Sequence, residues 1–277
     1  MFESPVKTRD LILFSFFSLI ILLAVFLSSF FDERTKIVFC NVGQGDAAYL
    51  RIDNKIDVLI DAGPDKSVLS CLGRYMPFWD RKIELAFLSH PNNDHYNGYF
   101  FIADRYKIDK FITVNTSGLI VSKTYKKLLQ KISEKNIPVL FKYSGDKILL
   151  GKGDSRIAPT IILYWPPKNF TSNNDNDFSS VILFNGVLFT GDASPFVLGR
   201  LSHGAIGKVD VLKIPHHGSK NGLTKNFLDL ADPEVAVISV GKNNSYGHPS
   251  LKVLDMLKAK NVQIRRTDME GDILYKL

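Results

Sequence analysis

The chain predicts an α/β fold, a sandwich in which two β-rich halves carry helices between their strands. Three observations predict it. Between Lys36 and Leu277 short apolar runs of strand length alternate with amphipathic helical segments. No repeat or linker divides this stretch, and the 277-residue chain is long enough for one sizeable core. Apolar strands repeatedly stop at loops rich in Gly, Pro and Asn that hold His and Asp, the arrangement of a site built at strand ends. Three segments follow from this: a tail over residues 1–10, an apolar span over 11–31 and one domain over 36–277.

Leu11 to Phe31 is a run of 21 residues without a charge. At about 1.5 Å per residue it reaches about 30 Å, the thickness of a bilayer's hydrocarbon core. Lys7 and Arg9 precede it, and Asp32, Glu33, Arg34 and Lys36 follow, so charge orients it weakly. A cleaved signal peptide is the rival reading, but such an apolar core runs to about 7–15 residues and ends in a small-x-small site. Leu27-Ser-Ser-Phe-Phe31 is a poor one. The expectation is an uncleaved single-pass anchor with the domain outside the cytoplasm.

Overall apolar content is that of a globular protein, which excludes bulk disorder. Cys40 and Cys71 form no metal-binding spacing and no disulfide framework, and Cys40 lies in an apolar run as a core residue. The net charge of +7 is concentrated: residues 101–152 hold 11 Lys and Arg against 4 Asp and Glu. Such a region is either a solvated lysine-rich face or a patch for a polyanion such as nucleic acid or acidic lipid headgroups.

In chain order, Ile37–Val42 reads as a strand broken by Gly43-Gln44-Gly45-Asp46. Strands resume over Ala47–Ile52 and Asp57–Ile60 with a turn at Asp53-Asn54, and Asp61-Ala-Gly63 closes the second. Ser67–Tyr75 is helical. The buried strand Ile83–Ser89 feeds His90-Pro-Asn-Asn-Asp94-His95. Ser122 caps a helix to Lys135, whose apolar stripe is Tyr125, Leu128, Leu129 and Ile132 and whose other face carries Lys123, Lys126, Lys127, Lys131 and Lys135. Short strands follow at 139–141, 147–150 and 160–164, then a polar loop over 168–177. Asn185-Gly186 turns a hairpin between 180–184 and 187–190 that delivers Gly191-Asp192. Strand 209–214 delivers Pro215-His216-His217-Gly218-Ser219, and strand 235–240 leads to His248-Pro249. Helices at 224–230 and 250–260 and strands at 263–266 and 273–277 complete the domain.

Five of the six histidines, His90, His95, His216, His217 and His248, lie in loops just past apolar strands, and so do Asp46, Asp61 and Asp192. His203 is assigned to the surface at a helix end. Imidazoles with carboxylate oxygen suit zinc, or manganese and iron where oxygen dominates. If the strands run roughly parallel, these tips gather at one edge as a site that activates water against a phosphoryl or acyl centre.

The ordered words Asn41-Val-Gly-Gln-Gly-Asp46, Leu59-Ile-Asp-Ala-Gly63, Leu88-Ser-His-Pro-Asn-Asn-Asp-His-Tyr-Asn-Gly98, Phe189-Thr-Gly-Asp192, Val211-Leu-Lys-Ile-Pro-His-His-Gly-Ser219, Tyr246-Gly-His-Pro249 and Arg266-Thr-Asp268 resemble the metallo-β-lactamase fold. They are most similar to the hydrolase-like domain of the ComEC competence proteins, which are DNA-uptake channels. The resemblance covers residues 36–277. It implies an αββα sandwich, metal ligands at His90, Asp94 and His95, a bridging carboxylate at Asp192 and a late ligand at His217. It implies catalytic roles for Asp94 and His248, the latter contacting a phosphate, protonating a leaving group or serving as a buried hydrogen-bonded residue. Asp46, Asp61, Asn92, His216 and Ser219 are expected to orient ligands or meet substrate, with Gln44 a weaker candidate.

Two departures qualify this. The fold's His-x-His-x-Asp-His motif has Asn92 at its second histidine, and no histidine before Asp192 completes that position. One zinc, or a second labile ion such as manganese, is therefore expected. ComEC proteins also carry this domain on a polytopic channel, whereas this chain has one apolar span. The expected function is a membrane-anchored metal-dependent phosphodiesterase or nuclease acting on DNA, with helix 122–135 along the backbone. The alternatives are hydrolysis of another ester, lactone or cell-envelope phosphodiester, and a non-catalytic DNA-binding or scaffolding relative.

Overall fold

The computed structural model describes residues 7–31, 34–116, 119–151, 158–201 and 206–277, with the side chains of 25–31 excepted. His203 lies outside them.

The chain opens with helix α1 (Thr8–Phe31). Among the described residues no helix is long and apolar enough to cross a membrane. Described side chains of α1 end at Ala24, so residues 25–31 of the expected anchor lie outside that statement.

The first half of the domain runs β1 (Lys36–Phe39), β2 (Ala48–Ile52), β3 (Ile56–Ile60), α2 (Ser67–Tyr75), β4 (Lys82–Ile83), β5 (Leu85–Phe87), α3 (Asn93–Tyr96), α4 (Tyr99–Arg105), β6 (Lys107–Ile108), β7 (Phe111–Thr113), α5 (Lys123–Glu134) and β8 (Val139–Phe141). The second half runs β9 (Lys147–Leu149), β10 (Thr160–Trp165), β11 (Val181–Phe184), β12 (Val187–Phe189), α6 (Pro195–Leu198), β13 (Val211–Lys213), α7 (Lys225–Ala231), β14 (Val235–Ile238), α8 (Leu251–Ala259), β15 (Gln263–Arg266), α9 (Thr267–Glu270) and β16 (Ile273–Lys276). They form two seven-stranded sheets, β16-β1-β2-β3-β5-β7-β8 and β15-β14-β13-β12-β11-β10-β9, beside a small β4–β6 ribbon.

Strand alternation builds the layers. On β2, Ala48, Leu50 and Ile52 join the core between the sheets while Tyr49 turns to the outer layer. That outer layer packs Val68 and Leu72 of α2, Ile102 of α4 and Leu128 and Ile132 of α5. On the far sheet, Val197, Phe227, Leu228, Val253 and Leu257 of α6, α7 and α8 do the same. The central strands of both sheets are covered on both faces, which is why they read as continuous apolar runs, while β8 and β9 at the edges are largely exposed. The helix expected over 122–135 is present, with the Ser122 hydroxyl accepting from Tyr125 N at 3.0 Å.

Two expectations change. Cys40 and Cys71 are joined by a disulfide, Cα–Cα 5.8 Å, that fastens α2 to the segment after β1. A spacing of 31 residues carries no sign of this, because the fold alone brings the pair together. The loop expected after His90 contains the helical turn α3, held by Tyr96 N donating to Asn92 O at 3.1 Å.

Direction decides where the loops meet. β3, β5, β7 and β8 are mutually parallel, as are β12, β13, β14 and β15. Their C-terminal ends form one edge of the sandwich, where loops from both sheets converge.

Candidate metal centre

Beyond β5 the chain reaches His90, and α3 then presents Asp94 and His95. The β11–β12 hairpin delivers Asp192. β13 is followed by a single turn, Pro215–Gly218, in which His216 and His217 are left-handed at φ 53° and 52°, as Asp61 is at φ 56°. Such backbone costs a non-glycine residue about 1–3 kcal/mol, and three cases in one cluster mark positions held by their surroundings.

Ligand atoms of Asp94, His95, Asp192 and His217 all lie within 4.8 Å of one another. His217 Nε2 is 3.2 Å from Asp94 Oδ2 and 3.5 Å from Asp192 Oδ2, and His95 Nε2 is 3.3 Å from Asp192 Oδ1. His95, Asp192 and His217 are buried, and Asp94 is half-buried. His95 Nε2 and Asp192 Oδ1 are buried and make no hydrogen bond. Unsatisfied atoms at this depth are costly, and a cation at their common point would satisfy both. The residues therefore fit a divalent ion held by two imidazoles and two carboxylates.

The rear of each imidazole is tied down. Asp61 Oδ2 accepts from His95 Nδ1 at 2.8 Å, and its carboxylate also accepts from the Ser89 amide and hydroxyl at 2.7 Å each. Ser239 O accepts from His217 Nδ1 at 3.0 Å, and Asp46 Oδ1 lies 3.3 Å from the same nitrogen. Both Nε2 atoms are thereby aimed at the centre. Asp46 in turn is ion-paired with the buried Lys213, whose ammonium donates to Gly191 O at 2.9 Å. Gly45 passes so close to Asp94 O that a Cβ would overlap it, and Asp46 N donates to that oxygen at 3.2 Å.

The electrostatics follow. Burial works against a charged His217, but Asp192, Asp46 and Asp94 outweigh it and lift its pKa to about 10. Burial likewise opposes a charged His95, yet Asp192, Asp61 and Asp94 raise it well above the ordinary range. Burial opposes ionised Asp192 too, but His217, His95 and Lys213 hold it well below. In this arrangement protons on two imidazoles balance the carboxylates, which is the charge a divalent ion would replace.

His90 is placed beside His95, ring centroids 4.2 Å apart, but outside the four converging residues. Burial, then His95, lowers its pKa to about 3, so it is neutral, and its buried Nε2 makes no hydrogen bond. Asn92 does not turn to that nitrogen for a shared ligand role. Its amide donates to Asn176 Oδ1 at 3.1 Å, and Asn176 Nδ2 is 3.4 Å from His216 Nδ1. His216 flanks the centre, Nε2 3.8 Å from Asp192 Oδ2. His248 stands at the mouth, ring centroids 5.8 Å from His216 and 6.5 Å from His217. Ser219 shapes its turn instead of reaching the centre: its amide donates to His216 O at 2.7 Å and its hydroxyl accepts from Asn221 N at 3.3 Å. Gln44 ties two loops, its amide oxygen accepting from Gly241 N at 3.1 Å.

Lys213, Asn176 and Ser89 were not singled out from the sequence. Lys213 could have been, since a lone charge inside the apolar run 209–214 needs a buried partner. Asn176 and Ser89 gave no such signal.

An αββα sandwich with two imidazoles and two carboxylates converging at its loop edge defines a metal-dependent hydrolase. The chain belongs to the metallo-β-lactamase superfamily, whose sequence model matches residues 40–242. It is 26% identical to ComE operon protein 3 of Bacillus subtilis (strain 168) over 282 aligned residues, which cover 92% of this chain and 35% of that protein. It is 28% identical to Recombination protein 2 of Haemophilus influenzae over 244 residues, 84% of this chain and 28% of that protein. The chain thus spans about a third of the length of these relatives. Among solved structures it is similar to Igni18, a metallo hydrolase from Ignicoccus hospitalis, with TM-score 0.53, 16% identity and coverage of 88% and 100% of the two chains. It is also similar to CmlA, a diiron β-hydroxylase from Streptomyces venezuelae, with TM-score 0.56, 14% identity and coverage of 88% and 54%. At these identities the likeness is one of fold.

Proposed function

We propose that this domain is a metal-dependent phosphodiesterase that cleaves DNA and is held at a membrane by the apolar segment 11–31, with the domain outside the cytoplasm. The observation that carries the chemistry is the convergence of Asp94, His95, Asp192 and His217 on one point at the open edge. A divalent ion bound there, zinc or manganese, supplies Lewis acidity and lowers the pKa of water in contact with it.

The chain's own residues arrange the rest. Asp61 and the Ser239 carbonyl hold the two imidazoles in register. Burial, then His216 and His217, lower the pKa of His248, so at neutral pH it is uncharged and serves as a hydrogen-bond donor to a phosphate oxygen. DNA is favoured by the competence and recombination relatives and by the position of α5. Tyr96 of α3 meets Ser122 at the α5 N-terminus at 2.8 Å, so the lysine-bearing helix starts beside the loop that carries Asp94. Lys131 and Lys135 are paired with Asp104, which leaves Lys123, Lys126 and Lys127 as the exposed charges facing a backbone. The membrane reading rests on α1, whose Leu11, Ile12, Phe14, Phe16, Phe17 and Leu19 are all exposed.

The test is cleavage of a labelled oligonucleotide by the purified chain with Mn²⁺ or Zn²⁺ and with chelator. Cleavage is expected only with metal, and Asp94→Ala is expected to lower it by about a hundredfold or more. Undiminished cleavage by Asp94→Ala at unchanged metal content would sink the proposal.

A further inference from the structure

A cavity of about 230 Å³ is lined among others by Asn115, Tyr143, Pro166, Asn169, Phe170 and Phe178. Topology puts it at the active edge. Asn115 and Tyr143 follow the C-terminal ends of β7 and β8, which run parallel to β5. Pro166 follows β10, which is antiparallel to β11 as β11 is to β12, so β10 and β12 point the same way. Loops from both sheets therefore border the cavity, and they are joined where Ser144 N donates to Pro166 O at 2.7 Å.

The turn Asp175–Phe178 touches both the cavity and the residues around the metal centre. Asn176, on one side of it, contacts Asn92 and His216. Phe178, two residues on, lines the cavity. At about 2 Å rise per residue such a turn spans only a short distance from Asn176 to Phe178.

The lining has a definite chemistry. Lys, Arg, Asp and Glu are absent from it, so it offers a phosphate no counter-charge. Phe170 is half-buried and its ring is held edge-to-face by Trp165 at 4.9 Å and by Phe178 at 5.1 Å. Trp165 is itself fixed, its indole donating to Asp177 O at 2.6 Å. A preset aromatic face bordered by proline and carboxamides suits a flat heteroaromatic ring with polar edges. The volume is below the about 300–1,000 Å³ of pockets for drug-sized ligands, which fits one ring system without its sugar.

We propose that this cavity is a nucleobase subsite that takes one unpaired base, next to the phosphodiester at the metal centre, onto the face of Phe170. It rests on the nuclease reading for its ligand. The base must be unstacked to enter, so the preferred substrate is single-stranded or locally opened DNA.

The experiment measures equilibrium affinity of the full chain, metal loaded, for a labelled single strand and for the same strand with abasic sites, alongside cleavage of both. The natural strand is expected to bind about tenfold more tightly, the size of one lost base–aromatic contact. Phe170→Leu, which keeps apolar bulk and removes the ring, is expected to bring that ratio close to one with its thermal melt retained. Equal affinities of the wild-type chain for the two strands would overturn the subsite, whatever the variant does. Cleavage separates the two readings: equal binding with cleavage of both strands overturns the subsite and keeps the nuclease, whereas a preference for the natural strand without any cleavage upholds the subsite and overturns the nuclease.

Discussion

The side-chain amide of Asn92 donates to Asn176 Oδ1 at 3.1 Å, joining two loops 84 residues apart at the wall of the metal centre. His90 Nε2 is buried without a hydrogen-bond partner, and Asn92 supplies none. The amides bond to each other, and amide oxygen is a weak ligand beside imidazole.

One tightly held ion per chain is therefore expected after dialysis, measured as metal-to-protein ratio by plasma emission spectroscopy. The double replacement Asn92→His with Asn176→His is expected to raise the ratio towards two. A wild-type ratio of two would contradict this account.

Metal uptake is expected to weaken as pH falls. His217 has a pKa of about 10 in the folded protein, above its ordinary value of 6.5, so binding must displace a proton at neutral pH. The sign for stability is the reverse. A raised folded pKa stabilises the metal-free protein fully below about 6.5 and loses that contribution as pH rises towards 10. Thermal melts of chelator-treated protein should fall between pH 6 and pH 10, and added Zn²⁺ should recover most of the loss at the upper end. A metal-free melt that does not change over this range would refute the assignment.

Lys213 is the buried counter-charge of Asp46. Lys213→Met should destabilise the fold by about 3–5 kcal/mol, because it leaves a buried carboxylate without its partner. Urea unfolding measures it, and adding Asp46→Asn should return part of the loss. If the double variant is no more stable than the single, the pairing is not what Lys213 contributes.

The Cys40–Cys71 disulfide closes a 31-residue separation. Its reduction, or Cys71→Ser, is expected to cost about 2–4 kcal/mol. Guanidine titrations with and without reductant would reveal it, and coincident curves would argue against a cross-link in the folded chain.

Much of this was legible from residues alone. The apolar strand around Tyr49, the Ser122 cap and the Asn185-Gly186 turn are local signals, and each folds as its own neighbours dictate. Strand-end loops made five histidines and Asp46, Asp61 and Asp192 legible as one edge, and the family resemblance picked out Asp94, His95, Asp192 and His217 among them together with His90. The Asn92–Asn176 pair, the Lys213–Asp46 pair and the disulfide were not, since each depends on which strand lies beside which.

Residue order alone specified the α/β sandwich, the apolar N-terminal segment and the residue types at the strand ends, because propensity and periodicity act over a few residues. Three-dimensional packing settled that His90 stands outside the converging four, that Asn92 turns to Asn176, and that an aromatic cavity opens behind Asp175–Phe178. Those outcomes depend on parallel strands from two sheets ending at one edge, and the contacts that set this are separated by tens to hundreds of residues along the chain.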